Sequence, residues 1–299
     1  MTALSSIVDR TLSHLDHGRT ARNKLATTVN SSATSVVTTY DLAGITPGSR
    51  ISIGLEDMYC FATDATVKTA TVERGDGESV GAAHTAGDVI IVGPEFSRFD
   101  VVQAVNEEIA ELSSPARGLY QMLAVDLTYS AAVAGYDLAG VAATFIDVYA
   151  LSFKQSGSSA YWPSITEFSV ERNMAASEFA SGSAIFLFQG GSSGQPIRVR
   201  YRAKFTQLGT TDETQVVETV TGLSESGCNI LAYGAAARLA AGRAMRRASF
   251  DAQGNTRRAE EVSTQDTLIS VQGLLRQRDV AVQAEAARLG RQYPIRGYR

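Results

Sequence analysis

The sequence predicts a mixed α+β chain: a small β unit and a β-sandwich or jelly-roll-like region, with an N-terminal helix before them and a C-terminal helical hairpin after. Three observations predict it. Between Ser35 and Val92, short runs of Val, Thr, Ile and Tyr are punctuated by turns at Thr46-Pro47-Gly48-Ser49 and Gly75-Asp76-Gly77. Residues 119–222 hold six strand-like runs separated by Gly/Ser turns, too closely spaced for βαβ units. After Gly222 the apolar period becomes helical.

In order along the chain, residues 1–34 read as an N-terminal helix that docks on the helical domain. Leu4, Ile7, Leu12, Leu15 and Leu25 stand at loosely helical spacing over 3–26. Residues 35–115 read as the small β unit with one helix. Ser97 can cap that helix, Asp100 sits three residues on, Val101, Val105, Ile109 and Leu112 share a face, and Pro115 and Gly118 stop it. Residues 116–222 form the sandwich-like domain, with strands expected at 121–129, 144–153, 164–170, 184–189, 197–205 and 215–220. Residues 223–299 form the helical docking domain. Ile230, Leu231, Ala235, Ala236, Leu239 and Met245 line its first helix, where Gly234 and Gly242 would let another backbone approach. The second helix starts at Ser263 or Thr264, carries an apolar seam at Leu268, Val271, Leu275, Val282 and Leu289, and ends before Pro294. The pentapeptide Tyr40-Asp41-Leu42-Ala43-Gly44 recurs as Tyr136-Asp137-Leu138-Ala139-Gly140 in unmatched flanks, which suits two similar turns better than a duplication.

Composition bounds the function. Of 299 residues, 44% are hydrophobic and 19% charged, which supports packed cores and argues against disorder. Cys60 and Cys228 lie far apart without metal-ligand or redox spacing, which excludes a disulfide framework and fits a reducing cytoplasm. The longest apolar stretch, 131–153, is broken by Asp137 and Asp147, and the first residues lack the order of a signal peptide, so neither a membrane span nor Sec export is expected. The net charge of −4 argues against a whole-chain nucleic-acid binder, but it is unevenly placed. Residues 230–299 hold 12 Arg, no Lys and 6 acids, a net +6 that leaves −10 for residues 1–229.

Motifs for catalysis are weak. Gly190-Gly191-Ser192-Ser193-Gly194 matches the G-x-S-x-G nucleophile elbow, but Gln195-Pro196 leads into another strand where the elbow needs a helix, and His84 would be the base only by elimination. Gly75-x-Gly77-x-x-x-Gly81 is one residue off the dinucleotide fingerprint and lacks its helix. His14 and His17 could share a metal on a helix face, but a third ligand is missing. Glu56-Asp57 and Glu107-Glu108 are expected to face water. No enzyme activity, cofactor or metal is expected.

The most regular pattern is Ile197-Arg198-Val199-Arg200-Tyr201-Arg202-Ala203-Lys204-Phe205. On a strand it puts Arg198, Arg200, Arg202 and Lys204 on one face over roughly 20 Å. That face is either solvated or a docking surface for an acidic partner or a phosphate backbone, and the acidic bulk of the same chain offers a homotypic partner. A second basic set, Arg238, Arg243, Arg246, Arg247, Arg257 and Arg258, surrounds the bend of the hairpin; being all arginine, it leans toward specific carboxylate contacts, with a solvated surface as the equal alternative.

The stretch Val72-x-Arg74-Gly75-x-Gly77, His84, Gly87-Asp88-Val89-Ile90-Ile91-Val92-x-Pro94-x-Phe96 is similar to a module in virion proteins of long-tailed bacteriophages. It departs at Glu78-Ser79, where such relatives have Gly-Thr. The segment Ile230 to Leu239, followed by a long helix ending at Tyr293-Pro294, resembles the helical part of head-to-tail (neck) adaptor proteins of double-stranded DNA phages. Together the likeness covers 56–112 and 226–296. It implies a structural virion protein: a homo-oligomeric, dodecameric ring in the neck, assembled in the host cytoplasm, that binds the portal protein and the next neck or tail protein and lets DNA pass. Portal contacts would map onto Arg238, Arg243, Arg246, Arg247, Tyr293, Pro294, Ile295, Arg296, Tyr298 and Arg299. The alternative is a tail or baseplate protein whose sandwich binds carbohydrate through Tyr161 and Trp162, although a core role for Trp162 is the stronger expectation.

Overall fold

The computed structural model describes residues 1–15, 20–42, 44–114, 117–140, 144–155, 161–251 and 264–294, with side chains described outside 243–251 and 264–268. It is an α+β structure in two compact units, Met1–Glu111 with Gln207–Glu285, and Leu112–Thr206 with Ala286–Arg299.

The first unit is built on six antiparallel strands: β1 (Ala21–Lys24), β2 (Ser35–Val37), β3 (Arg50–Ile53), β4 (Glu56–Asp64), β5 (Thr69–Arg74) and β6 (Val89–Val92). They lie in the order β1-β6-β3-β4-β5-β2. The outer strands meet through a bridge between Leu25 and Thr38, where Ala26 N–H donates to Val37 O and Thr39 N–H to Lys24 O, both at 2.8 Å. The sheet therefore curls until its edges hydrogen-bond, which removes two aggregation-prone edges. Inward residues Val36, Ile51, Ile53, Met58, Cys60, Ala70, Val72, Ile90 and Val92 fill it.

The N-terminal helix is shorter than the expected 3–26. Helix α1 (Leu4–Leu15) buries Leu4, Ile7, Val8, Thr11 and Leu15, and the chain then returns as β1. Periodicity misses β1 because its inward residue is Asn23, whose side chain donates to Asp41 O and accepts from Tyr40 N–H. Leu25 belongs to the sheet core and not to the helix.

Helix α2 (Arg98–Leu112) opens on the expected cap: Asp100 N–H donates to Ser97 Oγ at 3.0 Å, and Ser97 N–H to Asp100 Oδ2 at 3.2 Å, a reciprocal capping box. Later in the first unit come α3 (Val217–Thr221), α4 (Cys228–Asp251) and α5 (Thr264–Gln292), the last of which continues into residues of the second unit. The strand expected at 215–220 is helix α3. Val217 and Thr221 are buried while Thr219 between them is exposed, a pattern that one helical turn permits and a strand's two-residue alternation does not, and Gly222 at φ 74° closes it. Helix α4 packs along α1, with Leu15, Phe96 and Ala236 buried together and Leu12, Leu239 and Leu274 against them.

The second unit pairs a four-stranded sheet, β10-β9-β13-β7, with a three-stranded one, β11-β12-β8. Its strands are β7 (Gln121–Thr128), β8 (Gly135–Asp137), β9 (Phe145–Phe153), β10 (Ser164–Ile165), β11 (Phe168–Arg172), β12 (Ser183–Leu187) and β13 (Pro196–Ala203). Residues of both sheets, among them Leu138, Leu151, Ile185, Ile197, Val199 and Tyr201, form one apolar core. The strand expected over 164–170 is two, β10 in one sheet and β11 in the other, split at Thr166-Glu167, which gives the chain its crossing point. The repeated pentapeptide has two different settings. Tyr40 is in an exposed loop, whereas Tyr136 and Asp137 form β8 and Leu138 is buried.

Candidate functional site

Two buried ionic clusters of the first unit and one open sheet face of the second hold the residues of interest. The first cluster lies at the turn from β5. Arg74 donates from Nε to Glu56 Oε1 at 2.6 Å and from Nη2 to Oε2 at 2.7 Å, while its Nη1 reaches the carbonyls of Asn30 and Ala33. Glu56 Oε2 also accepts Ala82 N–H at 2.9 Å and sits 2.8 Å from His84 Nε2. Arg74, Gly75 and His84, which help carry the resemblance, are thus parts of a staple that ties the loops at 30–33 and 82–84 to β4. Gly75, at φ 69°, is required because a Cβ there would stand 2.9 Å from Ser79 O.

Glu56 and Asp57 were expected to face water; each is 1% exposed. Burial alone would raise both carboxyls. Asp57, bonded by Ser52 Oγ and 3.9 Å from Arg50, stays above its ordinary value. Glu56 is carried the other way, to about 2 against 4.5, because Arg74, His84 and the Ala82 amide all bond its charged form. They do not form an acid–base pair. Consecutive residues of a strand point to opposite faces, and both Glu56 oxygens are saturated by donors. The depressed value gives a pH prediction. This carboxylate stabilises the fold fully above 4.5, and its contribution, ~3 kcal/mol, is lost as pH falls through about 2. Urea midpoints should drop over that window in the native chain and change less in Glu56→Gln; equal slopes would remove the assignment.

The second cluster joins α2, α4 and α5. Glu108, also expected in solvent, is 1% exposed and takes Arg278 Nε at 2.5 Å and Arg238 Nε at 3.2 Å. Arg278 Nη2 reaches Glu111 at 2.8 Å, and Arg238 also pairs with Glu111 and, at 3.7 Å, with Glu107. Gly234 admits a carboxylate here, not the backbone expected: a Cβ would fall 2.3 Å from Glu108 Cδ, while Gly242 has nothing within 4 Å. Arg278 also changes the expected seam of α5. Val271, Val282 and Leu289 are buried, but the arginine at 3% exposure takes the place of Leu275, which is 39% exposed; the side chain of Leu268 lies outside the described residues.

The open face belongs to β13 and its neighbours. Ile197, Val199, Tyr201 and Ala203 point into the core, and Arg198, Arg200, Arg202 and Lys204 point out, as the alternation requires. Arg198 pairs bidentately with Asp126 at 2.7 and 2.8 Å, and its guanidinium lies 4.0 Å from the Trp162 ring centroid. Trp162 is therefore half-buried beneath an arginine and does not join the apolar core. Arg202 bonds Asp147 at 3.2 Å and lies over Tyr120 at 4.7 Å and Tyr149 at 6.0 Å. A bulge in β9 puts the extra residue Tyr149 on this face, where Tyr293 meets it edge-on at 5.9 Å and Pro294 O accepts its hydroxyl at 3.1 Å. Arg200 stands in register between Ala124 and Ala150, and among the described residues no carboxylate pairs with Arg200 or Lys204.

Of the arginines expected at the portal, Arg238 is engaged by three carboxylates of its own unit. The side chains of Arg243, Arg246 and Arg247, and residues Arg257, Arg258, Ile295, Arg296, Tyr298 and Arg299, lie outside the described residues, as does His17. Ser192 sits in an exposed turn that leads through Gly194 into β13, and His84 has its Nε2 committed to Glu56. The Cys228 thiol is pushed up to about 12 by burial and by Glu218 and Glu285, so it is protonated and unreactive at neutral pH. Among the described residues no group of His, Cys, Asp and Glu could hold a metal ion, and no helix is long and apolar enough to cross a membrane. No protein-family model matches the chain, and no curated protein matches it.

Proposed function

We propose that this chain is a structural virion protein of the neck of a long-tailed double-stranded DNA phage, one subunit of a ring that joins the portal to the tail around the DNA exit path. The observation that carries it is the arginine and aromatic face of β13. Guanidinium groups held beside Tyr and Trp, with no carboxylate paired to Arg200 or Lys204 among the described residues, suit a protein partner and not a catalytic pocket. The likeness over 56–112 and 226–296 supplies the neck and the portal. The interlocking of Arg74, Glu56 and His84 supports it by giving that motif a structural job.

The carbohydrate-binding alternative is weaker on one specific ground. Sugar stacking needs an open aromatic platform, and one face of Trp162 is occupied by Arg198, which leaves Tyr161, 59% exposed, as the open ring of the pair. Imaging of virions carrying a labelled copy should put the label at the neck. A label at the tail tip or baseplate would overturn the proposal in favour of the alternative.

A further inference from the structure

We infer that the open face of the β10-β9-β13-β7 sheet docks the acidic unit of a second copy of this chain, head to tail. This rests on the ring reading above and names the surface that builds the ring.

Charge by compact unit selects the partner. The unit of residues 1–111 and 207–285 has 16 Lys and Arg against 25 Asp and Glu, and the unit of 112–206 and 286–299 has 11 against 6, so one is net −9 and the other +5. Two copies joined through the same face would set Arg200 against Arg200. Contact between unlike units is attractive, and such heterologous contacts repeat into a ring when the rotation closes.

The chemistry of the face favours carboxylates of a protein over a phosphate chain. Asp126 and Asp147 lie on it and repel a polyanion, while they hold Arg198 over Trp162 and Arg202 over Tyr120 and Tyr149. Bases therefore find those ring faces covered. A partner carboxylate needs only the gap between Ala124 and Ala150, where Arg200 presents its fork.

Size sets the strength. The three long strands, β7, β9 and β13, are roughly 26 Å long and roughly 10 Å across, so the face offers ~260 Å², about a third of what one partner of a stable complex buries. One such contact is weak, and each subunit of a ring makes two.

Sedimentation velocity of the full chain tests this at low and high salt. The native chain should associate with rising concentration at low salt and dissociate at high salt. Arg200→Glu with Lys204→Glu should weaken association about tenfold or more at unchanged thermal midpoint. Ala124→Glu, which places a carboxylate opposite Arg200 in its own sheet, should weaken it too. Unaltered association in both variants, or a native chain that stays monomeric at low salt, overturns the inference. So does Arg200-dependent binding of a labelled DNA duplex without self-association. Rings that form on portal from the double variant would sink this contact and leave the neck reading standing, whereas self-association through this face by a protein absent from the neck would sink only the neck.

Discussion

Glu108→Ala should cost ~3–5 kcal/mol of unfolding free energy, because it strips a buried arginine of its counter-ion and leaves the charge behind. Arg278 is 3% exposed and bonds Glu108 at 2.5 Å; Arg238 shares the same carboxylate. Glu111 can hold Arg278 only in part, since its own side chain is also drawn to Arg238. The loss should appear as a lower urea midpoint with an unchanged slope. Replacing the pair together, Glu108→Leu with Arg278→Met, should recover much of it, because no unpaired charge then remains in the interior. A single variant within about 1 kcal/mol of the native chain would show that water reaches Arg278 and that the cluster is not a keystone.

Arg74→Ala should be comparably severe, at ~3–5 kcal/mol, for a different reason. Glu56 loses its bidentate partner while buried, and the carbonyls of Asn30, Ala33 and Ala82 lose their donor at once. Lysine should rescue poorly, since one ammonium cannot serve acceptors that a planar fork reaches from two sides. A second readout separates this from a simple packing loss. Without Arg74 the Glu56 carboxyl should rise from about 2, moving the acid unfolding transition to higher pH. An acid transition in the native position would mean that His84 and Ala82 alone hold Glu56 down.

Element types were largely legible, since burial imposes a period on the sequence. The alternation over 197–204 is the alternation of β13, and the Ser97–Asp100 spacing is the cap of α2. Elements without an apolar period were not legible. Strand β1 has Asn23 as its inward residue, and four of the five residues of α3 are β-branched, which local propensity assigns to a strand. The buried carboxylates were invisible for a related reason. A Glu-Asp or Glu-Glu pair reads as solvent-facing until its partner is known, and Glu108 meets Arg238 and Arg278 at separations of 130 and 170 residues.

The charge shows best how far residue order alone can carry. Counted along the chain, an acidic body is followed by a basic arginine tail, and that arithmetic is independent of any fold. Folding regroups it. Arg238 and Arg278 enter the acidic unit and are neutralised by carboxylates of α2, while Arg288, Arg291, Arg296 and Arg299 are grouped with the sandwich and its Arg198, Arg200, Arg202 and Lys204 in the basic unit. Composition and periodicity are local sums and survive reading in one dimension. Which charge remains available to a partner depends on pairing at long separation, and that is decided only when the chain closes on itself.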